Sequence, residues 1–413
     1  GECVVAGGVR RTAMISLSDF DDVEVRDAKK GQFFLTDPHR SVANNSAVYE
    51  ARPSNTELMD EWIALMKGGT GERGIFNRGS LPETLPKRRL EYLNDKYGKG
   101  QIGQMGTNPC AEIILQSKQF CNLSEVIARF DDTETSLLRK IKLATIVGTY
   151  QSTLTNFKYI SKEWTDNCRD ESLLGVSITG QWDSPAVRNA ATLKKLRDVS
   201  IKTNQTYAKR FKVNPSMSVT AVKPSGTVSQ TFNCSSGLHP RHAPYYIRRV
   251  RISATDSLFK MMRDQGVPYH PEVGQSMEDA NTYVIEFPVK APDKSLFKND
   301  LSAIEQLEYW KMVKVNYTEH NPSATISVGE NEWIAVVEWV NKNWEIVGGL
   351  SFLPRSNHVY RLAPYEEIDE KTYTELMSKF PQVDYAKLVT YERTDETEQK
   401  KELACAGGTC EII

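Results

Sequence analysis

The sequence has no run approaching eighteen apolar residues, so nothing in it reads as a membrane-spanning helix. It has almost no net charge either. Its 52 Lys and Arg balance 53 Asp and Glu to −1, which argues against the basic stripe of a nucleic-acid binder. The small basic groups Lys87-Arg88-Arg89 and Arg248, Arg249 and Arg251 read as solvated faces. There is no internal repeat, no low-complexity tract and no secretory signal. Seven scattered cysteines, an odd number, do not make a disulfide framework and fit a reducing cytoplasm. The chain opens on Gly1 rather than methionine, as in a processed product, a fragment or the second half of a split protein. At 413 residues and 39% apolar, it has enough material for an ample core in one large or two to three ordinary domains.

The patterns alternate between strand and helix. Cys3 to Leu17 reads as strand, Gly-Gly turn and strand. Ser54-Asn55-Thr56-Glu57 is a capping box, followed by Leu58, Trp62, Leu65 and Met66 at helical spacing and stopped by Gly68-Gly69. The charged, Pro- and Gly-containing stretch from Leu81 to Gly106 reads as a connection. Helices are expected over Ser136 to Phe157, Ala190 to Phe211, Ala303 to Asn316 and Glu332 to Trp344. Strands are expected at Leu173 to Ile178, Met217 to Val222, Ala324 to Val328 and Ile346 to Phe352. Such alternation indicates an α/β architecture.

Four stretches carry chemistry. In Asn108-Pro109-Cys110-Ala111-Glu112, an amide and a carboxylate flank a cysteine at two-residue spacing, so an extended backbone would turn all three to one face. Sulfur, proton acceptor and neutral hydrogen-bonding group would then meet one small substrate. Cys121 follows eleven residues on, far enough to return beside Cys110 on a neighbouring strand. The bland alternative is a pair of buried structural cysteines. At the end of the chain, Cys405 and Cys410 enclose a Gly-Gly turn after a polar, charged stretch from Glu392 to Glu402, as in a dithiol on a mobile arm. Lys223-Pro224-Ser225-Gly226-Thr227-Val228-Ser229 follows a strand and opens a helix. Backbone N–H groups and hydroxyls of Ser225, Gly226, Thr227 and Ser229 could cradle a phosphate there, although the Walker order is absent. Cys234, His239 and His242 lack an evident fourth metal ligand, and the stretch reads as a hydrogen-bond-rich loop. Cys168 reads as core.

The Asn108–Glu112 run, Cys121 and the Cys405/Cys410 pair closely resemble the ribonucleotide reductase catalytic subunit, and its adenosylcobalamin-dependent, monomeric triphosphate-reducing branch (class II) best. Supporting stretches run along the chain: Val5-Ala6-Gly7-Gly8-Val9-Arg10-Arg11, Ala43-Asn44-Asn45-Ser46, Gly71-Glu72-Arg73-Gly74-Ile75-Phe76-Asn77-Arg78, the Lys223–Thr227 turn, Ser236-Gly237-Leu238-His239 and Tyr246-Ile247-Arg248-Arg249-Val250. The resemblance implies a ten-stranded α/β barrel, here lacking its first strands, with Cys110 on a central finger loop. It implies a barrel over 1–365, a peripheral segment and linker over 366–400 and a redox tail over 401–413. It assigns Cys110 as a thiyl, Glu112 as base at the 3′-hydroxyl, Asn108 as its hydrogen-bond partner and Cys121 as one of the reducing thiols. Ser225, Gly226, Thr227 and Ser229 fall on the substrate-phosphate turn, and Cys405 and Cys410 on the relay recharged by a thioredoxin-like protein. Adenosylcobalamin is the implied cofactor, and no residue is assigned to a metal.

One departure stands out. The family's partner for Cys121 lies upstream of the Gly-Gly-x-Arg-Arg region, so Cys3 reads as structural and an N-terminal fragment of the same enzyme is the expected partner. The alternatives are a class I subunit served by a separate radical protein and a non-catalytic thiol–disulfide relay.

Overall fold

The computed structural model describes residues 14–355 apart from 32, 38, 41–42, 101–104 and 273–274, together with 362 and 364–392. Cys3, the Val5–Arg11 motif, Cys405 and Cys410 lie outside the described residues. In chain order the strands are β1 (Met14–Asp19), β2 (Ala43–Tyr49), β3 (Gly74–Asn77), β4 (Gly106–Thr107), β5 (Ile114–Leu115), β6 (Asn122–Ile127) and β7 (Leu174–Thr179). They continue as β8 (Tyr245–Ser253), β9 (Tyr269–Pro271), β10 (Thr282–Lys290), β11 (Thr325–Val328), β12 (Gly349–Pro354) and β13 (Tyr365–Glu367).

Contacts divide the chain into two units, of which the larger holds Met14–Arg241 and Asp293–Ser356. In it β1, β2 and β3 run parallel, β3 meets β12 antiparallel, and β12 runs parallel to β11. The order continues through bridges rather than ladders: Pro322 with Val222, then Thr220 with Val176 of β7. Finally β7 pairs parallel with β6. The strands thus form one unbroken order in two oppositely directed sets, with β1 at one edge and β6 at the other. No strand among the described residues joins those edges. The expected strand Met217 to Val222 contributes only isolated bridges.

Local chemistry accounts for most boundaries. The helix Asn55–Gly68 starts at the Ser54 capping box, buries Leu58, Trp62 and Leu65, and stops where Gly69 takes φ +65°, open to glycine without strain. β7 is buried at every residue, as a parallel strand covered on both faces must be. The helix Glu134–Gln151 ends short of the expected Phe157. There Ser152 and Thr153 turn their hydroxyls back onto the carbonyls of Thr149 and Tyr150 at 2.7 and 2.8 Å.

The stretch from Leu81 to Gly106, expected as a connection, instead folds into helices Leu81–Thr84 and Lys87–Tyr97. Its basic cluster is not a solvated face. Arg89 is fully buried and its Nε donates to Glu171 at 2.7 Å, while Arg88 donates to both oxygens of Glu319 at 2.7 and 2.6 Å. A guanidinium leaves water only for a carboxylate, and both partners here are remote in sequence.

The second unit carries His242–Pro292 and the described residues after 356. Residues 242–292, expected within a barrel over 1–365, stand here. Its sheet runs in the order β13-β8-β10-β9 with every pairing antiparallel. Phe259, Met261 and Met262 of the helix Ser257–Asp264 pack on Ile252 and Ile285. The second basic cluster is also paired rather than solvated. Arg249 is 7% exposed and reaches Glu286 at 2.6 Å and Glu366 at 2.5 Å, and Arg251 reaches Glu272 at 3.1 Å.

Candidate active site

The Cys110 stretch forms a small antiparallel hairpin, β4 against β5, whose connection is tied by its own amide. Asn108 Oδ1 accepts from the Ile113 N–H at 3.0 Å, and the Asn108 carbonyl accepts from the Ala111 N–H at 2.9 Å. Ala111 takes φ +60°, so the simple two-residue alternation expected across Asn108, Cys110 and Glu112 is broken by a turn. Cys110 sits at this turn half-buried rather than wholly enclosed, whereas Glu112 is completely buried.

The hairpin is gripped from both sets of strands. Asn44 of β2 donates to the Pro109 carbonyl at 2.6 Å. On the other side the Asn321 amide donates to the carbonyls of Ala111 at 3.0 Å and Gly349 of β12 at 2.8 Å. The Asn321 N–H meets the Glu112 carbonyl at 3.1 Å. A Cβ at Gly349 would lie 2.3 Å from that of Ala111, so only glycine lets β12 approach the turn this closely. Lys314 supports Asn321 from beneath, donating to the His320 carbonyl at 2.9 Å, and its burial pulls its pKa down to about 7. His320 fixes the next residue: Nδ1 accepts from the Ile114 N–H at 3.3 Å and Nε2 donates to the Leu174 carbonyl at 3.0 Å. That pattern specifies the neutral imidazole, and burial holds its pKa well below the ordinary value.

Among the described residues no hydrogen bond closes on either oxygen of Glu112. Burial pushes the carboxyl pKa up, and the Asn108 amide and the Lys223 charge offset part of that. Cys121 stands just before β6. A Cβ at Gly175 of β7 would meet its sulfur at 3.4 Å and Ile113 at 2.8 Å, so the second cysteine and the hairpin's return converge on one glycine. Burial pushes the Cys121 thiol up, and the Glu112 charge adds to the effect. Cys168 is buried nearby, its sulfur accepting from the Phe120 N–H at 3.2 Å.

At the Lys223–Ser229 turn, Ser225 and Ser229 are both buried and their hydroxyls are engaged within the protein. Ser225 donates to Glu125 of β6 at 2.7 Å, and Ser229 donates to the Ser225 carbonyl. Gly226 is exposed at the head of the short helix Thr227–Thr231. His239 is fixed as well, with Nδ1 on the Ser236 carbonyl at 3.0 Å and Nε2 accepting from the Thr325 N–H at 2.9 Å.

Sequence reasoning missed Glu125, His320, Asn321 and Lys314. Only Glu125 left a signal, since Cys121, Leu123 and Glu125 alternate onto one face of a strand. The other three lie about two hundred residues downstream, Lys314 in the last turn of the helix Ala303–Asn316 and His320 and Asn321 in the loop after it.

Solved structures of ribonucleotide reductases share this fold. A crystal structure of a B12-dependent (class II) ribonucleotide reductase matches with TM-score 0.70 and 23% identity, over 95% of this chain and 56% of that one. The Actinobacillus ureae class Id ribonucleotide reductase alpha subunit matches with TM-score 0.55 and 13% identity, over 83% of this chain and 70% of that one.

The resemblance to the class II branch holds along the whole chain. The adenosylcobalamin-dependent ribonucleoside-triphosphate reductase of Lacticaseibacillus paracasei is 27% identical over all of this chain and 58% of its own length. That of Lactobacillus leichmannii is likewise 27% identical over all of this chain. A probable enzyme of the same name from Dictyostelium discoideum is 26% identical over all of this chain and 53% of its own length. The chain therefore spans little more than half of these relatives. No family model matches it.

Proposed function

We propose that this chain supplies the catalytic hairpin, the substrate-phosphate turn and the redox tail of a ribonucleotide reductase that makes 2′-deoxyribonucleotides, with triphosphates as the favoured substrates. The observation that carries the reading is Glu112: a fully buried carboxylate on which no hydrogen bond closes among the described residues, on the same hairpin as a half-buried cysteine. Leaving such a group without partners is costly unless a substrate supplies them.

Adenosylcobalamin is the implied cofactor, and Cys110, half-buried at the turn, suits a thiol that an incoming radical source must reach. When bound, it would supply the radical that takes the hydrogen atom from the Cys110 thiol. No cobalamin contact is assigned to a residue.

The chain's own residues then act in order. The Cys110 thiyl takes the 3′-hydrogen of the ribose. Glu112 takes the proton of the 3′-hydroxyl, and the Asn108 amide steadies that oxygen. The 2′-hydroxyl leaves as water with a proton from the reducing thiols. Cys121 suits that role because its raised pKa keeps it a thiol, a proton donor rather than a thiolate. Cys121 and a partner thiol supply two electrons and the hydrogen that ends on the 2′ carbon, and close to a disulfide. Glu112 gives its proton back to the 3′ oxygen, and Cys110 returns the hydrogen it took to the 3′ carbon. Cys405 and Cys410 reduce that disulfide by exchange, and a thioredoxin-like dithiol protein recharges them. The turn at Ser225, Gly226, Thr227 and Ser229 seats the substrate phosphates.

The ten-stranded barrel belongs to the same reading, with further strands filling the interval between β1 and β6 and bringing the missing thiol on an N-terminal segment. Residues 366–400 then link the body to the tail at 401–413. The test combines this chain with the upstream portion of a class II relative, adenosylcobalamin and a ribonucleoside triphosphate under anaerobic conditions. Cobalamin cleavage that requires both substrate and the Cys110 thiol is expected. Turnover without cobalamin, driven by a separate radical protein, would give the class I reading instead.

A further inference from the structure

The helices over β6, β7 and the bridged strands form a layer that ends where the sheet ends. Arg197 of the helix Ala190–Phe211 donates to the Val315 carbonyl of the helix Ala303–Asn316 at 3.0 Å. On its other side, Asn204 of the same helix donates to Thr149 of the helix Glu134–Gln151 at 3.1 Å. Glu134–Gln151 is thus the outermost of the three, above the edge strand β6. Its Gly148 faces the sheet, where a Cβ would lie 3.3 Å from Ser124 of β6 and 3.4 Å from Leu174 of β7.

With Gly148 turned to the sheet and Thr149 to the neighbouring helix, the opposite flank should be polar. Instead it carries Leu143, Val147 and Tyr150, exposed by 56%, 60% and 60%, and Leu154 follows one turn on at 65%. Single exposed apolar residues are ordinary, but a row of four at alternating spacings of four and three is the seam of a helix pair. The surrounding charge is of one sign. After Glu134 the helix holds Arg139, Lys140 and Lys142 and no acid, and Lys140 is answered by Asp132 at 2.7 Å. The neighbouring helix ends in Lys209 and Arg210 beside Phe211, whose ring meets that of Tyr150 at 5.7 Å. A second copy of this chain would set like charges against like in either helix direction.

We propose that this seam receives an amphipathic helix with acidic flanks, supplied by the upstream portion of the same enzyme. The inference rests on the reading that further strands fill the interval between β1 and β6. Relatives match this chain over only 58% and 53% of their own length, so a large segment remains to be placed. A sheet of this class is covered on both faces, so strands added beside β6 extend the helical layer past its outermost member. The next helix in that layer meets the Leu143–Leu154 row, and acidic residues at its margins answer Arg139, Lys142, Lys209 and Arg210.

The test co-expresses the full chain with the upstream portion of a class II relative, purifies through a tag on that portion, and measures the affinity of the pair by sedimentation at low and high salt. Wild type should bind, and more weakly as salt is raised. Val147→Glu combined with Leu154→Glu should weaken binding at least about tenfold, as for loss of interface anchors, while the melting temperature of the chain alone stays unchanged because both side chains are exposed. Arg139→Glu with Lys142→Glu should weaken binding and flatten its salt dependence. Wild-type affinity in the Val147→Glu/Leu154→Glu variant, with the β6 amides still protected from hydrogen exchange, overturns this inference and leaves strand closure standing. Self-association of the chain alone that the same variant abolishes also overturns it, giving the seam to a second copy. Failure of the upstream portion to bind wild type removes strand closure and this inference together.

Discussion

Glu112 shows how far burial alone sets chemistry in this protein. A carboxyl taken out of water resists ionisation, and here the nearby Asn108 amide and Lys223 charge offset only part of that cost. In the role of base proposed for it, Glu112 must be ionised, so the acid limb of turnover is expected above the ordinary carboxylate range of about 4.3. A pH–rate profile checks this, and Glu112→Gln should lower kcat by at least about a hundredfold, the usual reach of a general base. Lys314 offers an independent test of sign. Its folded pKa of about 7 lies below its unfolded value, so the folded state binds fewer protons between those values. Stability should therefore rise as pH climbs from about 7 to about 10, by an amount on the order of a few kcal/mol. Denaturant melts of Lys314→Met across that range should lose the rise, because the variant has no ammonium to desolvate.

At the scale of elements, the hairpin's position depends on close approaches that leave no room for a methyl group. Gly349→Ala would drive a Cβ into Ala111, which already sits at positive φ and is held by Asn321. The expected result is a displaced Cys110 turn, with turnover lost and stability reduced by about 1–3 kcal/mol, the usual range for overpacking. Thermal melts beside activity assays separate the two effects. These dependences explain what the sequence disclosed. The helices Ala190–Phe211 and Ala303–Asn316 were legible to the residue because their periodicity is local. Motif order drew attention to the Cys110 stretch and to Cys121, though not to the hairpin that carries the first. By contrast, the helix Lys87–Tyr97 was hidden behind its charges, since what buries Arg89 is Glu171 on a distant helix. His320 and Asn321 were hidden for the same reason, as their meaning lies entirely in the backbone groups they meet. The Cys110 turn departed from simple alternation because Ala111 takes positive φ, which no residue type announced.

At the scale of the whole molecule, the strand order leaves β1 and β6 as edges among the described residues, and the two sets run in opposite directions. If further strands fill that interval, an upstream segment should bind this chain and protect the β1 and β6 amides from hydrogen exchange, while β7 amides change little. Protection elsewhere, with those two strands unaltered, would count against closure there.

The central claim is that the Cys110 sulfur takes hydrogen from the 3′ carbon. The most direct measurement is turnover of a 3′-deuterated ribonucleoside triphosphate by this chain combined with an upstream segment and adenosylcobalamin. A rate slowed relative to the protiated substrate, and abolished by Cys110→Ala, is the predicted result. Deoxyribonucleotide formation that survives Cys110→Ala would contradict it.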